Sequence, residues 1–301
     1  MHYAEYYALR GAVAVLGALT FRRAGDVGRA IGSLGYRPLG IRRDVVERQV
    51  RAAFPGLAEA EVLRIARQSY EHLGRTTIET SLLPTFSPEQ VLELFERTEG
   101  WDVIERARAR GKGLLLVSGH LGNWELAGSY VAARGIPIEA VARRMQNPLF
   151  DRYLTDTRRR IGMTVIHDAD AVRRVPRATR EGKAVGFLID QGAAGLASTW
   201  VPFFGRYAKT PRGPAVFALR LDAPVVFLCA LRQPNGRYAM HLQEVVTERT
   251  GDRETDVDRI VASYTATLEG YVRRAPEQYF WHHRRWKHQR PGTPAELGDP
   301  S

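Results

Sequence analysis

A histidine and a carboxylate, His120 and Glu125, stand five residues apart directly after an apolar run at residues 114–117. The run predicts a buried strand, and Asn123 is a good N-cap for the helical pattern that follows. Both groups would then lie at the C-terminal end of a strand, where open α/β sheets carry their active sites. A carboxylate on one imidazole nitrogen fixes the tautomer and raises the basicity of the other nitrogen. The pattern favours an enzyme that removes a proton from a hydroxyl; the alternative is a loop histidine beside a capping carboxylate.

Five short blocks, in order along residues 54–291, resemble one enzyme family. Gly-His-Leu-Gly-Asn-Trp-Glu at 119–125 looks like the His-x4-Asp/Glu motif of glycerolipid acyltransferases. It most resembles the bacterial lipid A late (lauroyl/myristoyl) acyltransferases and their relatives that acylate phosphatidylinositol mannosides. The other blocks are Val-Ala-Arg-Arg-Met-Gln-Asn-Pro at 141–148, Phe-Leu-Ile-Asp-Gln at 187–191, Val-Pro-Phe-Phe-Gly at 201–205 with Thr-Pro and Gly-Pro at 210–211 and 213–214, and His-Arg-Arg-Trp-Lys at 283–287. The resemblance implies His120 as base, Glu125 as its orienting partner, and direct attack by the acceptor without a cofactor or metal.

The same blocks contain candidates for holding a phosphorylated substrate. Arg143 and Arg144 follow a predicted strand, and guanidinium groups bind phosphate in a bidentate manner; the resemblance favours Arg143. It also assigns Asp190 and Gln191 to the active-site wall, either as substrate contacts or as supports for a neighbouring loop. The resemblance also implies that Thr210 to Gly213 opens a helix whose free amides face a phosphate.

The basic and aromatic segment near residue 283 offers two more candidates. Arg284 and Arg285 would either anchor a substrate phosphate or seal the C-terminus. The His-Glu-x-x-His zinc pattern is missing there and no carboxylate is nearby, so we expect no metal ligands. A lipid headgroup or the surface of a carrier protein fits this segment better.

The overall charge points to an anionic partner. The 301 residues carry a net charge of +11, which suits nucleic acid or an anionic membrane with phosphorylated substrates. No nucleic-acid-binding fingerprint is present, so we expect a membrane surface and no nucleic acid. The single cysteine, Cys229, cannot form an internal disulfide and fits a buried position in a reducing compartment.

The N-terminus carries a short apolar segment at residues 11–21, preceded by three tyrosines and flanked by arginines. Its length as a helix is roughly 16 Å, which is too short for the ~30 Å hydrocarbon core of a bilayer. Aromatic and basic flanks are typical of an interfacial anchor, whereas an ordinary core helix is the alternative. We therefore expect a membrane-associating helix over residues 1–25.

The remaining pattern predicts an α/β domain, with a mostly parallel mixed sheet flanked by helices on both faces and a helical N-terminal extension. We expect one domain over 26–291 and a disordered tail over 292–301. Strands are expected at 114–117, 138–142, 164–166, 185–189 and 225–231, with an antiparallel strand at 238–245. Helices are expected at 44–53, 58–83, 92–95, 102–110, 124–133, 150–161, 214–221 and 256–274, and a loop at 192–204.

Taken together, these patterns favour an O-acyltransferase at the cytoplasmic face of the inner membrane, peripheral or monotopic and monomeric. Its donor would be acyl carrier protein or acyl-CoA, and its acceptor a phosphorylated glycolipid, with a lipid A precursor first and a phosphatidylinositol mannoside or lysophospholipid as alternatives. Two other classes remain open. A non-enzymatic basic protein binding membrane or nucleic acid would not need His120 and Glu125 to meet, and a hydrolase would need Ser118 as nucleophile.

Overall fold

A computed structural model describes residues 2–145, 147–192 and 195–300. It confirms the predicted α/β class. The α-helices in this part of the chain are α1 His2–Leu16, α2 Phe21–Tyr36, α3 Arg43–Ala53, α4 Glu59–Leu82, α5 Pro88–Glu93, α6 Trp101–Ala109, α7 Trp124–Ala133, α8 Pro148–Arg160, α9 Ala171–Arg180, α10 Gly213–Leu221 and α11 Arg253–Arg274. The strands are β1 Phe95–Glu99, β2 Leu114–Ser118, β3 Ile138–Ala142, β4 Met163–His167, β5 Ala184–Leu188, β6 Ser198–Phe203, β7 Arg206–Pro211, β8 Val225–Arg232 and β9 Tyr238–Glu244.

Seven strands form one mixed sheet in the order β1-β9-β8-β2-β5-β3-β4. β8, β2, β5, β3 and β4 run parallel, and β9 is antiparallel to β8 and parallel to β1. β2 is thus a central strand, with β8 on one side and β5 on the other. The carboxyl ends of these three parallel strands meet at one edge, and the loop that follows β2 emerges there.

The apolar run of β2 is continuous because both faces of the sheet are covered. Leu115 and Val117 point into one hydrophobic cluster, and Leu114 and Leu116 point into another on the opposite face. All five residues of β2 are buried, as expected for a central parallel strand covered by helices on both sides. The loop after β2 therefore starts from a fixed position.

The helical N-terminal part packs onto this domain through α4 and through α3, whose Gln49 amide donates to the Trp281 and His283 carbonyls. The proposed boundary after residue 25 falls inside α2, whose Ala24 and Gly25 are buried, so α1 and α2 are separated instead at residues 17–20. Among the described residues, no helix combines the length and the apolar character that crossing a membrane would require.

Three segments differ from the sequence-based expectation. The helix expected at 92–95 is wrong in its second half, because α5 ends at Glu93 and the chain enters β1 at Phe95. Within the loop expected at 192–204, Ser198–Phe203 forms β6, which pairs with β7 in an antiparallel hairpin; residues 193 and 194 lie outside the described part. In the tail expected to be disordered, Ala295–Leu297 forms a 3-10 turn.

Candidate active site

The imidazole of His120 is held by Asp190. β2 and β5 pair in parallel register, with Ser118 opposite Leu188, so His120 and Asp190 each lie two residues beyond a matched pair. His120 Nδ1 lies 2.8 Å from Asp190 Oδ1, and the backbone N–H of His120 donates to Asp190 Oδ2 at 2.9 Å. The carboxylate therefore fixes both the backbone and the ring of the histidine.

Asp190 is ionised at neutral pH. Its side chain is only 2% exposed, and burial by itself would raise the pKa of its carboxyl. The charge of His120, the two hydrogen bonds from that residue and the nearby Arg285 guanidinium outweigh burial and lower the pKa of Asp190 to about 2. An ionised carboxylate accepts hydrogen bonds only, so Nδ1 of His120 must carry the hydrogen.

The other ring nitrogen of His120 is left free to accept a proton. Nε2 has no hydrogen-bond partner among the described residues, and the side chain is 17% exposed. The ring contacts Trp124 and Phe280, with centroid separations of 4.9 and 5.9 Å. The Gln191 amide nitrogen lies 3.3 Å from Nδ1, next to the bond with Asp190. These contacts hold the ring in place with two aromatic neighbours and leave Nε2 available.

Glu125 has a different partner from the one expected. Its carboxylate forms a bidentate ion pair with Arg158 in the last turn of α8, with 3.1 Å between Arg158 Nε and Oε2. Both side chains are largely buried, at 13% and 17% exposure. Burial by itself would lower the pKa of Arg158, but the charge of Glu125 and their hydrogen bonds raise it. The described residues contain no direct hydrogen bond between Glu125 and His120, and this ion pair ties the first turn of α7 to α8.

Three distant parts of the chain fix the loop that carries His120. The His72 ring in α4 contacts the Gly122 carbonyl at 3.1 Å, and burial with the charge of Arg232 lowers the pKa of His72 to about 3, so a neutral ring donates this bond. Gly122 has φ of +61°, and a Cβ there would overlap the Ala230 carbonyl of β8. The Phe280 N–H donates to the His120 carbonyl at 3.0 Å.

The candidate phosphate ligands do not form one cluster of exposed cations. Arg143 is 62% exposed and lies 3.4 Å from Asp168, and Arg144 is exposed without an ion pair among the described residues. Both follow β3, two strands from β2 in the sheet. They follow the carboxyl end of β3, at the same edge of the sheet as the loop that carries His120.

Arg285, in contrast, is buried in the protein. It is 4% exposed and donates to the Lys209 carbonyl at 2.8 Å and to Thr210 Oγ1 at 2.5 Å. Thr210 does not open a helix, because it lies in β7 and α10 begins at Gly213. Arg284 forms an ion pair with Asp299. The Arg285–Thr210 contact joins the C-terminal segment to the hairpin beside Asp190.

Sequence reasoning missed the roles of four residues. Asp190 was placed in the active-site wall, but its bond to the base was not expected. Arg158 and His72 gave no signal, because they lie 33 and 50 residues from their partners and belong to ordinary amphipathic helices. Phe280 could not be distinguished from a core aromatic residue. Only the sheet order and the packing of α4 and α8 bring these side chains to the loop.

A sheet-edge histidine bonded to a buried carboxylate is the arrangement of a general base. The family described as "Bacterial lipid A biosynthesis acyltransferase" matches residues 1–288. The chain belongs to this family and is an acyltransferase. It is 27% identical to the lipid A biosynthesis palmitoleoyltransferase of Escherichia coli over 87% of this chain and 84% of that protein. It is 26% identical to the lauroyltransferase of the same organism, over 89% and 87%, and 27% identical to a phosphatidylinositol mannoside acyltransferase of Mycobacterium tuberculosis, over 52% and 51%.

The Glu125–Arg158 pair gives a first prediction. Glu125→Gln and Arg158→Gln should lower the free energy of unfolding by similar amounts, about 3 kcal/mol, because each leaves a largely buried charge unpaired. Both should also reduce acyl transfer in parallel, since the pair fixes the start of α7 next to the base. Chemical denaturation and initial rates measure the two effects. A rate loss confined to Glu125→Gln, with Arg158→Gln near wild type, would instead assign Glu125 a direct part at His120.

Proposed function

We propose that this acyltransferase moves a fatty acyl chain from acyl carrier protein, or from acyl-CoA, to a hydroxyl of a phosphorylated glycolipid, with a lipid A precursor as the first choice. The observation that carries the proposal is the His120 ring, which is bonded through Nδ1 to ionised Asp190 and free at Nε2. We assign His120 as general base and Asp190 as the carboxylate that orients it. Glu125, which the sequence suggested for that role, supports the loop through Arg158.

The proposed reaction is direct transfer between the two bound substrates. His120 Nε2 takes the proton of the acceptor hydroxyl while the hydroxyl oxygen forms a bond with the thioester carbonyl carbon. The carbon–sulfur bond then breaks, and the thiolate takes the proton back from the imidazolium. Asp190 stabilises the imidazolium without being protonated itself. No step needs a metal or a cofactor.

Ser118 is a poor alternative nucleophile, which argues against a hydrolase. Its side chain is buried, with 7% of the residue exposed, and its hydroxyl donates to the neighbouring Gly119 carbonyl at 3.4 Å. It lies at the end of β2, before the loop that carries the base. A serine nucleophile needs its hydroxyl within hydrogen-bond reach of the histidine that activates it, and the described contacts contain no such bond.

The exposed arginines after β3 suit the phosphate groups of the substrates. Both a phosphorylated acceptor and the phosphopantetheine arm of the donor carry phosphate, and Arg143 and Arg144 offer guanidinium groups near the site edge. Asp190 is occupied with His120, so we assign it to the base rather than to substrate, and Gln191 lies beside that bond in the wall of the site. Arg285 and Thr210 hold the wall behind Asp190.

The same proposal includes a location at the cytoplasmic face of the inner membrane, where the acceptor lipid would be presented. α1 exposes Tyr3, Tyr7 and Val15, which are side chains that an interfacial helix places among lipid headgroups. Peripheral or monotopic association through α1 is the form that these residues support.

The test is acyl transfer by the purified protein followed by mass spectrometry of the lipids. Acyl carrier protein and CoA thioesters of C12 to C16 chains would each be offered with a lipid A precursor, a phosphatidylinositol mannoside or a lysophospholipid. We expect one added acyl group on the lipid A precursor, and none with the His120→Ala variant. Acylation of only one of the other two acceptors would move the assignment to that lipid. Release of free fatty acid without any acylated lipid would contradict the proposal and favour a hydrolase.

A further inference from the structure

α2 turns its glycines toward α4 and leaves three large aliphatic side chains outside, while Phe21 and Tyr36 at its two ends pack inward. A Cβ added at Gly28 would overlap the Gly74 backbone of α4, and one added at Gly32 would overlap the Tyr70 carbonyl. The two helices are therefore in backbone contact, and an ion pair between Asp26 and Arg75 fixes the rotation of α2. At Gly28 and Gly32 there is no room for a larger side chain on the α4 side.

Five exposed apolar residues form what we call the α2 strip. Three of them, Val27, Ile31 and Leu34, lie on α2. Ile31 and Leu34 follow Val27 by four and seven residues, so the three side chains share one side of the helix. Their exposures are 38%, 54% and 54%. The strip continues in the loop after α2, where Leu39 is 67% and Ile41 54% exposed. Scattered apolar residues on a surface are normal, whereas a continuous strip marks a contact.

The loop that carries Leu39 and Ile41 is held in place. The Tyr70 hydroxyl donates to the Ile41 carbonyl at 2.6 Å, and the Ile41 N–H donates to the Gly35 carbonyl at 3.0 Å. The two apolar side chains thus project from an anchored backbone. A strip on a fixed surface can be buried only by a partner from outside.

The charges around the strip identify the partner. Arg23 precedes the strip on α2, and Arg37 and Arg42 flank Leu39 and Ile41; all three are exposed. None of these guanidiniums forms an ion pair among the described residues. Apolar side chains with unpaired arginines beside them match a lipid surface, with acyl chains below and anionic headgroups at the edge.

We infer that the α2 strip docks on an anionic lipid surface and, together with α1, sets how this acyltransferase sits on the membrane. The inference rests on the proposed membrane association and adds the surface that makes the contact. It also extends that contact beyond the segment 1–25 that the sequence suggested, since all five apolar residues follow residue 25.

The experiment is co-sedimentation of the full-length protein with vesicles, without any substrate. Wild type should bind vesicles of phosphatidylcholine with 30% phosphatidylglycerol better at low than at high salt, since surface charges are screened. Ile31→Glu with Leu34→Glu should weaken binding about tenfold or more, because two large side chains lose their burial in lipid. Replacing Arg23, Arg37 and Arg42 by Gln should weaken binding to these vesicles but not to pure phosphatidylcholine.

Val246→Glu is the matched control, because Val246 is 57% exposed and lies beyond β9, away from α2; it should bind as wild type does. Equal binding by wild type and the Ile31→Glu/Leu34→Glu variant, with both folded, would overturn this inference and leave α1 as the anchor. No vesicle binding by wild type would overturn the proposed membrane location as well. If sedimentation velocity showed that wild type is a dimer and the Ile31→Glu/Leu34→Glu variant a monomer, the strip would be assigned to a contact between copies of the chain. His120→Ala should bind normally, which separates this test from that of the chemistry.

Discussion

Replacing His120 by alanine should lower the rate of acyl transfer by about 10²–10⁴-fold or more, because the proposed general base is lost. The fold should persist, since the side chain lies in a loop and its backbone N–H still donates to Asp190. Initial rates with saturating donor and acceptor measure the effect, and thermal unfolding reports on the structure. Binding of the acceptor should change little, so the loss should appear in kcat rather than in KM.

His241→Ala is the matched control for this experiment. His241 also bonds a carboxylate, with 2.9 Å between its Nδ1 and Glu99 Oε2, but it lies in β9, and the described residues contain no hydrogen bond between it and residues 120–123. That variant should retain its transfer rate even if it loses stability. Undiminished turnover by folded His120→Ala would remove the histidine from the mechanism, and an equal loss in both variants would point to general destabilisation.

Asp190→Asn should lower kcat by about 10²–10⁴-fold, a loss on the scale of other cases in which the carboxylate of a histidine–carboxylate pair becomes an amide. The amide no longer stabilises the imidazolium, and it allows the ring to take the wrong tautomer. Glu139→Gln serves as the control: Glu139 is a buried carboxylate in β3 with ion pairs to Arg174 and Lys183, so its loss should affect stability rather than transfer.

The Asp190 carboxylate also makes the free energy of unfolding depend on pH in the acid range. Its pKa is about 2 in the folded protein against an ordinary value of 3.8, so the unfolded chain binds the proton more tightly. The ion pair therefore stabilises the fold above pH ~4, by roughly 2 kcal/mol, and this contribution is lost as the pH falls from about 4 to 2. Urea denaturation across that range should show a steeper decline for wild type than for Asp190→Asn. Parallel curves would mean that folding does not lower the pKa of Asp190.

The central strands were predictable because their patterns are unambiguous. β3 and α7 begin and end where the sequence places them, and β2 extends the predicted run by Ser118 alone. A continuous apolar run followed by glycine and an N-cap predicts a buried strand, a short loop and the start of a helix. β6 and β7 were missed because their prolines and aromatic residues are also typical of a loop with apolar side chains, which is what the sequence predicted there.

The partner of the base could not be read from the sequence. Glu125 and Asp190 both stand near predicted strand ends, and both could reach His120 on spacing alone. The choice depends on β5 lying next to β2 in register, and on α8 presenting Arg158 to Glu125. Neither fact is local, since the first needs the strand order and the second the packing of two helices. The residue types of the site were therefore accessible from the sequence, whereas the pairing among them was not.

The contacts of the loop at residues 120–123 with the end of the chain have a consequence for biosynthesis. Phe280 and Gln278 bond the His120 carbonyl and the Gly122 N–H, and Arg285 helps to keep Asp190 ionised. Synthesis delivers these segments about 160 residues after the base, while domains begin to fold as they leave the ribosome. A nascent chain can thus form most of its sheet before the base is locked in place. Activity should appear only once residues 278–285 have emerged, so chains truncated before this segment would not present an assembled catalytic site to cellular acyl donors.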